Sequence, residues 1–178
     1  MHIWMALRQI LTEPNKILRE KSLPVEKMDA DVQKLMDDML ETMYAAPGIG
    51  LAAIQVGIPK RVIVLDIAQK DGPKNPLFFI NPEIIEKSKN NLTYEEGCLS
   101  VPGQFAEIDR SDKCHVKYLD YYGQPKEIKA EGMLATCIQH EIDHLEGILF
   151  IDYLSKLKKS MIIKKLSKQK KAIERIVV

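Results

Sequence analysis

The chain has 178 residues, 46% hydrophobic and 29% charged, with 26 Lys and Arg against 25 Asp and Glu. This is a globular composition, long enough for one domain with its own core, and the absence of an 18-residue apolar run excludes a membrane-spanning helix. Three cysteines (Cys98, Cys114, Cys137) make an odd count, and the opening Met1–Arg8 is too interrupted for a secretory leader, so the expectation is reduced thiols in a cytoplasmic protein, free to ligate metal.

Residues 1–27 read as irregular, punctuated by Pro14 and Pro24. A helix is predicted next, capped by Asp29 or Asp31 and ended by Pro47. Val32, Leu35, Met36, Met39, Leu40 and Met43 form its apolar stripe, and the methionines read as core. In Gly48-Ile49-Gly50-Leu51-Ala52-Ala53-Ile54-Gln55, two glycines one residue apart let the backbone approach a ligand or turn sharply. No strand leads in and a third glycine is missing, so it is not a dinucleotide fingerprint. Strands are predicted over 61–66, closed by the Asp71-Gly72-Pro73 turn, and over 77–80, ended by Asn81-Pro82. A third starts at Ile84-Ile85. Residues 113–120 alternate as a half-buried strand and turn through Tyr122-Gly123-Gln124-Pro125 into 126–129. Met133, Leu134, Cys137, Ile138, Glu141 and Leu145 follow a helical spacing, with Gly132 before them and Gly147 as the stop. Residues 148–151 read as a short strand. Residues 154–175 read as a terminal helix docking through Leu157, Met161, Ile162 and Leu166. Helix, strands, helix, helix predicts an α+β fold.

The second helix carries His140-Glu141-x-x-His144. Residues four apart share a helix face, so two imidazoles there can bind one metal ion, with Glu141 beside its water. The plain alternative is a pair of surface or capping histidines. A catalytic site of this kind needs a third ligand, and nothing downstream fits. No histidine follows His144, Glu146 points away from the pair, and Glu174 lies in a basic tail. The best upstream candidate is Cys98, preceded by Gly97; its plain alternative is an inert buried thiol. Cys114 reads as such a thiol, Cys137 as a residue lining the site, and His115 and His2 as ordinary polar residues. Residues 156–175 hold nine basic residues and one acid, whereas 1–155 hold seventeen basic and twenty-four acidic. Such a tail suits a polyanionic partner or a solvated helix face.

Taken in order, Gly48–Gln55, Glu96–Ser100 and Gln139–Leu145 resemble the three motifs of the peptide deformylases: Gly-x-Gly-Leu-Ala-Ala-x-Gln, Glu-Gly-Cys-Leu-Ser and Gln-His-Glu-x-Asp-His-Leu. The likeness runs over roughly residues 6–155, including Leu18-Arg19 and Leu119–Gly123. It implies a cytoplasmic hydrolase that removes the formyl group from N-formylmethionyl nascent peptides. By position it implies Cys98, His140 and His144 as metal ligands, for ferrous iron first, with zinc, nickel or cobalt as substitutes. It implies Glu141 as base, Gln55 and the Leu99 N–H as donors to the formyl oxygen, and Gly50 as a backbone contact to substrate. Ile49, Tyr94, Met133, Thr136, Cys137 and the His140 ring would line a methionine slot. Tyr94 and Thr136 are more polar than the aliphatic residues often found there. Seven residues after Cys98, where many relatives carry an arginine that contacts the peptide, this chain has Phe105. Arg110 matches a common family arginine, structural or substrate-orienting.

The expected fold is one catalytic domain over 1–178. It is α+β, with mixed, largely antiparallel strands packed around a central metal-binding His-Glu-x-x-His helix, and with an N-terminal and a basic C-terminal helix (about 155–175). The expected state is a monomer off the membrane, with the basic helix contacting ribosomal RNA. A zincin-type endopeptidase and a non-enzymatic module with a structural metal are the competing classes. The missing downstream ligand argues against the first. The lack of a fourth protein ligand argues against the second.

Overall fold

The structure is a computed structural model and describes residues 6–68 and 71–177; His2 lies outside them. The first helix, α1 (Ala30–Ala45), starts at Asp29, whose side chain accepts from the Val32 N–H. An N-cap oxygen there satisfies a backbone donor the helix itself cannot. Its expected stripe is buried, with Leu40 at the margin.

Five strands make one antiparallel sheet: β1 (Gly50–Ala52), β2 (Val62–Leu65), β3 (Leu77–Lys87), β6 (Lys113–Leu119) and β7 (Pro125–Glu131), in that spatial order. β4 (Asn91–Cys98) and β5 (Val101–Ser111) pair as a separate hairpin. β2 shows why the sheet is covered on both sides. Val62 and Val64 pack with α1, and Ile63 and Leu65 pack with α2 (Gly132–Leu145), so alternate side chains serve two cores. A third cluster joins Val101 and Ile108 of β5 to Leu18, Phe150, Ile151 and Leu166.

The molecule is α+β with mostly antiparallel strands and three α-helices. Three expectations need correction, and one element lies outside them. The strands expected at 77–80 and from 84 are one strand, β3, which runs through Asn81-Pro82 with register shifts on either side of Glu83–Ile84. Asn81 takes φ 50, and the bulge accommodates a proline that has no N–H for the ladder. Residues 150–153 form a 3-10 turn, not a strand; Asp152 accepts from the Leu149 N–H and closes it. The hairpin β4–β5 was not expected at all. The terminal helix, α3 (Lys156–Ile176), is capped by Ser155 and docks through Ile162, Ile163 and Leu166. Leu157 and Met161 instead stand 71% and 61% exposed, because the docking stripe is rotated by about one residue. Among the described residues, no helix is long and apolar enough to cross a membrane.

Candidate active site

Two stripes divide α2. Ala135, Ile138, Ile142 and Leu145 enter the core against the large sheet. Cys137, His140, Glu141 and His144 recur at the same helical spacing on another side and are buried too. Gln139 ties the helix to the hairpin, its amide donating to Ser111 O at 2.8 Å.

Cys98 reaches this second stripe through the hairpin. It pairs directly with Val101, so Leu99 and Ser100 form a two-residue turn and the thiol ends the strand over α2. Cys98, His140 and His144 each offer one ligand atom, all within 4.8 Å of one another. Ligand bonds of about 2.0–2.3 Å put tetrahedral donors roughly 3.5 Å apart. Cys98 Sγ lies 3.4 Å from His144 Nε2. The donor set of one thiolate and two imidazoles therefore fits a single divalent cation.

The surrounding charges fit it as well. His140 Nδ1 lies 2.8 Å from Glu96 Oε1. With the proton on Nδ1, Nε2 is left as the ligand atom. Burial opposes a charge on His140, yet Cys98, Glu96 and Glu141 raise its pKa well above the ordinary histidine value. The anionic surroundings that attract a proton there attract a cation equally. Burial, with His140, Arg110 and Arg19, holds His144 well below that value, which keeps it neutral as a ligand must be. Arg110, 4% exposed, grips Glu96 with two bonds of 2.6 and 3.0 Å and reaches Asp143 at 2.8 Å. Burial would raise the Glu96 carboxyl, but bonds to His140 and Arg110 hold it below the usual range. Arg110 does not line the cleft. It supports Glu96, which aims His140, so of the two readings left open for Arg110 the structural one holds.

Glu141 lies next to Gly50. A Cβ at residue 50 would sit 2.5 Å from Glu141 Oε1, and Oε2 has no hydrogen-bond partner among the described residues. Gly50 has no positive φ, so its bareness serves close approach and not a turn. Burial pushes the Glu141 carboxyl up to about 7, against His140 and Arg110 and with help from Glu96 and Asp143. Gln55 is fixed by its Oε1, which accepts from the Ala52 N–H at 2.9 Å. That turns its NH2 toward Ser100 Oγ at 3.0 Å and Cys98 Sγ at 3.5 Å.

These groups open into a cleft of about 480 Å3 that also exposes Leu99. Ile49, Tyr94, Met133, Thr136, Cys137 and His140 all line it. Cys137 is a wall: burial first, then Glu141 and Glu96, push its thiol up to about 12. Cys114 is buried in the sheet core, and burial raises its thiol too. His115 pairs with Glu127, and Glu146 with Lys21 and Arg61, both away from the cleft. The roles of Glu96 and Ser100 were missed. A signal existed for Glu96: it stands two residues before Cys98 and therefore on the same side of a strand.

A family model described as polypeptide deformylase matches residues 7–160. A peptide deformylase of Pelagibacter ubique (strain HTCC1062) is 65% identical over 98% of this chain and 100% of its own. One from Maricaulis maris (strain MCS10) is 57% identical over 96% and 98%. The crystal structure of peptide deformylase from Ehrlichia chaffeensis in complex with actinonin superposes with a TM-score of 0.89 at 46% identity, covering 93% of this chain and 98% of that one. Likeness of this degree, along nearly the whole length and in both sequence and fold, means that the chain belongs to the polypeptide deformylase family.

Proposed function

We propose that Cys98, His140 and His144 hold one divalent metal ion, ferrous iron before zinc, nickel or cobalt, and that Glu141 carries the protons of the family's reaction. The chain is a hydrolase of that family: it removes the N-terminal formyl group of newly made polypeptides, leaving formate and a free amine. When bound, the cation supplies Lewis acidity and brings the pKa of water from about 15.7 toward 7. Glu141 takes a proton from the attacking water, whose oxygen forms the new bond to the formyl carbon. Gln55 Nε2 and the Leu99 N–H donate to the oxyanion that develops. Both sit on a fixed framework, Gln55 held by Ala52 and Leu99 by the hairpin turn, so little reorganisation is needed. Glu141 then hands its proton to the leaving amine as the carbon–nitrogen bond breaks. Its single carboxyl beside Gly50 serves both transfers.

The methionine side chain enters the slot lined by Ile49, Tyr94, Met133, Thr136, Cys137 and His140, and the substrate backbone pairs with Gly50. The buried Thr136 Oγ1 has no hydrogen-bond partner among the described residues, which suits a slot that also admits a polarisable thioether. In this reading residues 1–178 act as one monomeric catalytic domain in the cytoplasm, with strands packed around α2 as its metal-binding centre. The basic α3 contacts ribosomal RNA. Cation-rich α3 supports that contact, and its test is co-sedimentation with ribosomes at low salt. Deleting residues 156–178 should abolish it, and unchanged co-sedimentation would refute it.

The observation that carries the reading is the convergence of Cys98 with His140 and His144 beside Glu141. The test is formate release from formyl-Met-Ala-Ser by anaerobically purified, iron- or nickel-loaded protein. Wild type should release formate and Glu141→Gln should not, with metal content equal. Intact loaded wild type that releases none sinks the reading.

A further inference from the structure

The cleft continues beyond the methionine slot. Three residues of β5, Pro102, Gly103 and Gln104, lie between the partner of Cys98 and the partner of Gly97, and Gly103 takes φ 73. They bulge over the mouth of the cleft, and Phe105 follows. Phe105 is 65% exposed, with its ring against Gly97, where a Cβ would sit 2.5 Å from Cε1. Gln104 and Phe105 line the cleft on one side. On the other they line a second groove, of about 590 Å3, between β5 and α3. The two hollows adjoin across these shared walls, so that only Gln104 and Phe105 stand between the cleft and the groove at α3.

The chemistry of the second groove is distinct. Lys158, Met161, Ile162 and Lys165 stand at i, i+3, i+4 and i+7 on α3 and so share a face. With Phe105 and Leu154 they give an apolar floor flanked by two ammonium groups. Among the described residues no salt bridge engages Lys158 or Lys165, and Glu107 is the one acid on the opposite wall. An extended chain with apolar side chains and a carboxylate beside them matches such a surface.

We infer that the substrate polypeptide, past its third residue, runs over Phe105 into the groove between β5 and α3, which binds an apolar side chain and favours an acidic neighbour. This rests on the deformylase reading above. It extends recognition from the end of the chain to a stretch of it, and it gives Phe105 the task of a ridge over which the peptide bends.

The test compares formyl-Met-Ala-Ser with the same peptide extended by Gly-Gly-Gly-Gly or by Leu-Asp-Leu-Leu. Four residues lengthen an extended chain by roughly 14 Å. With wild type, the leucine peptide should show a KM about fivefold lower than the tripeptide at equal kcat, and the glycine peptide no gain. Met161→Asp should lose the gain and leave tripeptide kinetics unchanged; Met161→Leu should keep it. Met161 is exposed on α3, and an aspartate there lies one turn from Lys158 and Lys165, so the helix is kept. Equal KM for tripeptide and leucine peptide, an equal gain from glycine, or a gain that survives Met161→Asp overturns the inference. If no peptide releases formate, the deformylase reading itself has failed, and the inference falls with it.

Discussion

Gly50→Ala tests how closely the base is held. The added Cβ would meet Glu141 at 2.5 Å (Oε1), 2.9 Å (Cδ) and 3.0 Å (Cγ), where ordinary contact begins near 3.4 Å. The carboxyl must therefore retreat by about 0.9 Å, and a misplacement near 1 Å at a reacting group costs on the order of 100-fold in rate. Backbone N–H and C=O at residue 50 remain, so KM for formyl-Met-Ala-Ser should stay within about threefold while kcat falls roughly 100-fold. Metal bound per chain should not change, because none of the three ligand residues is touched. Stability should move little. Alanine suits the backbone and stiffens the unfolded chain by about 0.4–1 kcal/mol, which offsets part of the displacement cost. The assay is steady-state formate release beside a thermal melt and metal analysis on the same preparation. A kcat within about threefold of wild type, with melt and metal unchanged, refutes the idea that a bare residue 50 holds Glu141 in place.

Cys98→Ala should keep its far-UV circular dichroism and lose its metal on gel filtration; a variant that retains metal would point to a ligand set drawn from α2 alone. Arg110→Met leaves Glu96 buried without its cation, so chemical denaturation should show a loss of about 3–5 kcal/mol. Because Glu96 then aims His140 less well, metal affinity should weaken about 10–100-fold in parallel, and affinity unchanged at lowered stability would sever that link. Asp66 tests pH dependence far from the metal. Burial alone would raise its carboxyl, but bonds from Tyr44, Ala68 N and Asn75 N hold it below 3.8. A lowered folded pKa gives stability that is present above the unfolded value and lost as pH falls through the folded one. The melting difference between wild type and Asp66→Asn should thus be full at neutral pH and shrink below pH 3.8; a constant difference counts against it.

Periodicity exposed the two helices that matter most. The stripe of α1 is buried as its spacing predicts; on α2 the predicted spacing marks the helix but mixes its two faces, and Met133 stands 48% exposed at the cleft. Strands fared worse where polarity masks alternation. On β4 and β5 the outward side carries Glu95, Glu107 and Asp109, and the inward side hides Glu96 and Arg110 as an ion pair. Fourteen residues separate that pair, and only the hairpin brings them together. Asn81-Pro82 reads as a stop but is a bulge, and the apolar run 148–151 reads as a strand although Asp152 coils it. At the site, three residues that meet within 4.8 Å were legible because metal chemistry demands a set. Arg110 is singled out in the sequence without a settled role and Glu96 without any, and it is the contacts between them and with His140 that assign both.

The double use of α2 sets the places where this chain can change length. One turn holds 3.6 residues, so a single inserted residue turns everything after it by about 100°. Inserted after Ala135, it would swing Ile138 and Ile142 off the sheet and carry His140 and His144 away from Cys98 in the same stroke. Core and chemistry would be lost together, with no intermediate sequence retaining one of them. Length variation should therefore collect in the turn at 120–124 and around 71–75, where no helical phase has to be kept.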